Sequence, residues 1–216
     1  MILDMKFIVD NSHREFFEEN GWIEFEEVLT PDACTAILAH IEQVFRHRGA
    51  PRKVSLPDDA VTLFRASRDV WRDEPKLKRA ICHRKLSEIA SELVEVKPLR
   101  LAYDQVLLPQ TQQAIPAHAL MGALGPCQGV LVVAAICLEG SGEGILPSAP
   151  GHISFIKPET PLVLSALQGT YLFIGYCRAV ARYAIQYLDP CANLPKSWGY
   201  AVGDRLIDRL HPIVYR

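Results

Sequence analysis

At 216 residues, with 49% hydrophobic and 22% charged side chains, the chain carries enough apolar surface for one domain with a sizeable core, which excludes extensive disorder. Its 23 basic and 25 acidic residues leave a formal charge of −2, which gives no global attraction to nucleic acid or anionic lipid. Local basic runs remain at Arg46–Lys53 and Lys76–Lys85.

The opening MILDMKFIVD places acidic residues inside its apolar run and lacks a small-residue cleavage site, so it does not read as a signal peptide. The most apolar window, Gly129–Leu138, is far too short to span a bilayer. Six cysteines occur without a CxxC pair, which disfavours a zinc ribbon and points to free thiols in a reducing compartment. A cytoplasmic protein with no membrane partner is the expectation.

Ser12-x-x-Glu15 has the form of a capping box and predicts a helix over Ser12–Asn20, stopped by Gly21. Trp22–Val28 reads as a strand from its aromatic and β-branched content. Thr30-Pro31-Asp32 then opens a second helix. Thr30 is the cap, Pro31 lies where its missing N–H costs nothing, and Asp32 complements the dipole. Ala33, Ile37, Leu38, Ile41, Val44 and Phe45 mark its buried face, and Gly49-Ala50-Pro51 ends it.

Pro57-Asp58-Asp59 begins a short helix through Phe64, and Glu74–Ile81 and Leu86–Val94 carry helical periodicity. Pro98 breaks that pattern. Leu99–Leu108 is a strand in which alternation puts Arg100 and Asp104 on one face. From there Gly129–Leu138, His152–Ile156, Leu162–Leu164, Thr170–Tyr176 and Ala181–Leu188 are short strands, with a chain reversal at Glu139–Gly151. The tail segments Ser197–Gly203 and Asp204–Leu210 read as partly helical. One domain is expected: a mainly helical part over 1–97, a β-rich core over 98–190 and a tail over 191–216.

The order of elements resembles the phytanoyl-CoA dioxygenase family. The resemblance is carried by Phe16–Phe25 with Val28-Leu29-Thr30-Pro31, by Leu86–Leu93 with Lys97–Leu101 and Tyr103-Asp104-Gln105, and by the turn Pro150-Gly151-His152. It implies an α+β chain built on a double-stranded β-helix, a jelly-roll or cupin-like barrel with flanking N-terminal helices. It also implies the chemistry of the iron(II)- and 2-oxoglutarate-dependent oxygenases.

Such enzymes hold iron with two histidines and a carboxylate, the first two as His-x-Asp or His-x-Glu so that both face one side of a strand. Within Gln112–Leu120 the chain offers His118-Ala119-Leu120, and Leu120 has no lone pair to donate. No histidine occurs between His152 and His211, and in Thr170–Arg178, where the third ligand would fall, Cys177 is the only soft donor. Two of three ligands are missing, so His118 and Leu120 are read as degenerate metal positions.

The resemblance further implies that Arg182 binds the distal carboxylate of 2-oxoglutarate, with Tyr103 and Gln105 lining the same cavity. His40 and His47 lie two turns apart, and Cys82 and His83 diverge on a helix. No GxSxG, GxxxxGK[ST] or GxGxxG motif occurs, and Gly140–Gly144 reads as a turn.

The leading expectation is therefore an oxygenase-like protein without iron, catalytic residues or a resident cofactor, which binds a small carboxylate or a protein partner. A divergent active enzyme would need Fe(II), 2-oxoglutarate and at least two of His118, His152 and Cys177 on one ion. A metal- or metabolite-responsive regulator acting on nucleic acid is the third possibility, for which the sequence shows no helix-turn-helix or basic stripe.

Overall fold

The computed structural model describes residues 8–50, 57–116, 119–161 and 168–216. Helix α1 (Asn11–Asn20) is capped by Asp10 rather than by Ser12. The Asp10 carboxylate accepts from the His13 amide at 3.1 Å, the His13 ring accepts the Asp10 amide, and Ser12 Oγ donates to Asp10 at 2.7 Å. A charged carboxylate outcompetes a hydroxyl as acceptor, so the cap shifts two residues upstream of the expected box. Gly21 ends the helix at φ +79°, a left-handed conformation that a side chain would strain.

Strand β1 (Trp22–Phe25) is shorter than expected, because the chain turns at Glu26-Glu27 with Glu27 at φ 52°. Helix α2 (Pro31–His47) starts as read: Thr30 Oγ1 accepts from Ala33 N at 3.2 Å. It buries Cys34, Ile37, Ile41 and Val44. Helices α3 (Pro57–Ala66), α4 (Pro75–Ile81) and α5 (Arg84–Val94) follow, and the predicted inward residues Leu77, Ile81, Leu86, Ile89, Ala90 and Leu93 are all buried. No helix among the described residues is long and apolar enough to cross a membrane.

Strands β2 (Leu99–Leu107), β3 (Val130–Ser141), β4 (Ile153–Ile156), β5 (Gln168–Arg178) and β6 (Ile213–Tyr215) join β1 in a curled antiparallel half-barrel of order β1-β4-β3-β5-β2-β6. Two apolar clusters cover its two faces. One packs α1, α2, α4 and α5 onto the sheet, and the other fills the inside of the curl with Tyr103, Leu107, Val133, Tyr171, Phe173 and Tyr183 among others. Strand β2, between β5 and the short edge strand β6, is covered on both faces, and all nine of its residues are buried.

Three expectations for the second half are corrected. Ala181–Leu188 is not a strand; Arg182 and Tyr183 make only isolated bridges, to Arg205 and Cys127. In the tail, helix is confined to α6 (Leu194–Ser197), and Ile213–Tyr215 adds an edge strand beside β2 instead. Arg100 and Asp104 do not share a face. The pairing shifts register between Leu101 and Tyr103, so Arg100 opposes Cys177 of the inner cluster while Asp104 opposes Ile174 of the helix-side cluster. A bulge adds one residue, and one residue reverses every later side chain. The expected strand Leu162–Leu164 lies outside the described residues.

Candidate functional site

The inner face of the curl is where a ligand would sit in a barrel of this kind, and its centre is built around a buried arginine. Arg68 follows α3 and enters the curl beside β2, forming a bridge with Gln105. Its Nε donates to Gln105 Oε1 at 2.8 Å, and one terminal nitrogen donates to both carboxylate oxygens of Asp189 at 3.0 Å each. Both ion-pair side chains are nearly inaccessible, at 2% and 1%. Gln105 is fully committed, since its Nε2 donates to the carbonyls of Phe64 and Val106. The guanidinium lies 4.6 Å from the Tyr103 ring and 5.7 Å from the Phe64 ring, within cation–π range.

Charge and burial together set the protonation of this cluster. Burial disfavours the charged Arg68, but Asp189 together with Cys191, Asp69 and Tyr103 outweighs it and holds the guanidinium above its ordinary range. Burial pushes the Tyr103 phenol up, and the Cys191 thiol up to about 12. The remaining void between Arg68, Tyr103, Asp189, Cys191 and Trp198 is about 10 Å³, enough for one water. The Tyr103 hydroxyl has no hydrogen-bond partner among the described residues.

The strand paired with β2 is β5, whose inward residues are Tyr171, Phe173, Gly175 and Cys177. At Gly175 the Tyr103 ring rests directly on the backbone: an added Cβ would fall 2.3 Å from Cε1 and 2.7 Å from Cδ1 of that ring. The stretch in which a third metal ligand would be sought is therefore covered by an aromatic ring backed by Arg68. Gly175→Ala is expected to destabilise by about 1–3 kcal/mol in chemical denaturation, because the ring has nowhere to retreat. Combined with Tyr103→Leu, the same change should cost markedly less than alone.

Of the residues singled out from sequence, Tyr103 and Gln105 are brought together on Arg68. Arg182 is not with them. It is exposed, on a loop rather than a core strand, and donates to the Gly203 carbonyl at 2.6 Å. His118 lies outside the described residues. Leu120 is 46% exposed and bridges to Pro161.

His152 shares its Nδ1 with Glu24 Oε1 at 2.9 Å and Ser148 Oγ at 3.2 Å, tying the loop after β3 to β1. Burial raises the Glu24 carboxyl, but the Ser148 and His152 hydrogen bonds outweigh it and hold the group below the ordinary range. Ser148 and Glu24 both meet the same ring nitrogen, so the three form no proton relay. Cys177 is fully buried; a hydrogen bond with Cys127 and then burial hold its thiol well above the usual range, hence protonated. His152 lies beside Cys137, and Cys177 opposes Val130. Seven residues of β3 separate them, about 23 Å at strand spacing, so they cannot share an ion.

No family model matches this sequence, and no curated protein does. Solved structures do match. SnoK, the non-heme alpha ketoglutarate dependent carbocyclase from nogalamycin biosynthesis, is 16% identical with a TM-score of 0.68, over 94% of this chain and 96% of that one. The epimerase SnoN from the same biosynthesis is likewise 16% identical at TM-score 0.68, over 94% and 97%. CT296 from Chlamydia trachomatis is 17% identical at TM-score 0.51, over 80% and 97%. The chain shares its fold with these non-heme alpha ketoglutarate dependent neighbours.

Among the described residues, the donors present do not fit the non-heme metal group named for those neighbours. Among the described residues no three His, Cys, Asp or Glu side chains come together to hold an ion. Leu120 is apolar, Cys177 is a protonated thiol and Gly175 is capped by a ring. The sequence reading missed Arg68 and Asp189, which organise the interior. Neither belongs to a motif, and an arginine in FRASRDVW looks like any solvated charge next to a helix.

Proposed function

We propose that this chain is a phytanoyl-CoA-dioxygenase-like protein, with a double-stranded β-helix that has given up iron-dependent oxygenation and now acts as a binding or regulatory protein. Its partner is a small carboxylate or another protein, and it has no resident cofactor. The observation that carries this reading is the filled interior, where Tyr103 lies on Gly175 and Arg68 is neutralised by Asp189 rather than left free for a ligand carboxylate. An arginine whose charge is already matched by a buried internal acid has little to offer a 2-oxoglutarate carboxylate. The placement of Arg182 on the outside supports the same reading.

The test is anaerobic loading with Fe(II) and 2-oxoglutarate and metal analysis, followed by exposure to oxygen and succinate measurement. Substoichiometric, easily removed iron and no succinate above a protein-free control are expected. One tightly held iron per chain with steady 2-oxoglutarate turnover would sink the proposal. Leu120→Asp is expected to leave iron binding unchanged, since a single carboxylate does not rebuild a three-ligand site.

A further inference from the structure

The segment expected to form the last core strand instead builds an outward-facing ribbon. Residues 181–183 run antiparallel to residues 204–206: Leu206 N donates to Ala181 O at 3.0 Å, Tyr183 N donates to Asp204 O at 2.8 Å, and Arg182 opposes Arg205. Alternation divides this ribbon cleanly. Ala181, Tyr183 and Leu206 are buried against the inner core, while Arg182 and Arg205 point away from it.

At the ribbon's ends, apolar side chains stand out in solvent: Val180 is 62% exposed, Val202 58% and Ile207 45%. Arg178 and Arg209 flank them and are also exposed. The two acids nearby are already engaged. Asp208 pairs with Arg100 at 2.9 Å, and Asp204 accepts from Ala201 N at 2.7 Å. None of Arg178, Arg182, Arg205 and Arg209 has an acidic partner within ion-pair distance among the described residues. The whole-chain charge of −2 averages over this face and hides it.

We infer that this ribbon is a peripheral docking surface for an anionic lipid bilayer, with the arginines meeting headgroup phosphates and Val180, Val202 and Ile207 entering the boundary beneath them. Exposed aliphatic side chains ringed by unpaired arginines suit a surface that is charged at the top and apolar just below. A nucleic acid would use the arginines but has no place for the valines and the isoleucine.

The test is co-sedimentation of the full chain with phosphatidylcholine vesicles, with and without phosphatidylserine. Binding is expected only when phosphatidylserine is present, and it should weaken as salt rises. Arg182→Gln with Arg205→Gln should weaken it by about 25-fold, from roughly five-fold per arginine removed from the surface. Val202→Ser with Ile207→Ser should weaken it at unchanged charge, which separates insertion from simple attraction. These are exposed side chains, so the circular dichroism spectrum should stay that of the parent.

Absence of binding to phosphatidylserine vesicles at low salt would overturn the inference, as would full binding by both double variants. Tighter binding to a DNA duplex than to vesicles, insensitive to the Val202 and Ile207 changes, would assign the face to nucleic acid instead and overturn it equally.

Discussion

Arg68→Met is expected to destabilise the chain by about 3–5 kcal/mol, because it strands the Asp189 carboxylate in a place with 1% exposure. For a chain of this length that corresponds to a fall in Tm of roughly 6–20 °C. The loss has three parts: the ion pair, the hydrogen bond to Gln105 and the packing of the guanidinium on the Tyr103 ring. The uncompensated carboxylate dominates. The double variant Arg68→Met with Asp189→Asn is therefore expected to recover a large share of the stability, since Asn can still accept the Cys191 amide that Asp189 holds at 2.8 Å. Thermal and urea melts of the two variants decide it. A single variant within about 1 kcal/mol of wild type would mean that the pair is not buried in solution.

The second large effect is on acid stability and comes from His211. Its Nδ1 donates to the Ala102 carbonyl at 3.0 Å, its Nε2 has no partner among the described residues, and the Trp198 and Tyr200 rings stand 6.0 and 5.8 Å away. Burial pushes its pKa down to about 4, from 6.5, with Asp69 pulling the other way.

Between those two values the unfolded chain binds a proton that the folded chain does not. The His211 contribution is therefore complete above about pH 6.5, falls as pH drops, and is exhausted near pH 4. From neutral pH to about pH 4.5, wild type should lose about 2–3 kcal/mol more than His211→Phe, which has nothing to protonate there. Asp104 works in the opposite sense: burial and then the nearby Asp69 raise its carboxyl, so acidification favours its folded form. The comparison with His211→Phe removes that background. Parallel pH profiles for the two proteins would show that the ring is hydrated.

The order and type of most elements were legible in the sequence because local rules govern them. Thr30-Pro31-Asp32, the spacing of Ile37, Ile41 and Val44, and the stop at Gly21 each act within one or two turns of chain. Those elements form where expected. Errors arose wherever a distant or subtler group competed. Asp10 took the first cap from Ser12 because its charge makes it the better acceptor.

The bulge at Ala102 is a tertiary decision. The residue added there turns the Ala102 carbonyl toward His211 from the tail, and it moves Asp104 to the other face from Arg100. No alternation pattern can reveal a register shift that depends on a partner more than a hundred residues away. Arg182 failed as a site residue for a related reason. Ala181-Arg182-Tyr183 does alternate inward and outward as a strand should, but the chain it pairs with is the tail, so its polar face looks out to solvent.

By itself, the sequence determined that a leucine stands two residues after His118, where the resemblance to iron-dependent oxygenases calls for a carboxylate. That is a matter of side-chain chemistry and no fold can alter it. Only the tertiary structure decided what occupies the interior in its place. Packing there depends on Arg68 from the helical half, Tyr103 and Gly175 from two paired strands, and Asp189 from the end of the β-rich half. These residues are scattered along the chain, and only folding gives them a common surroundings.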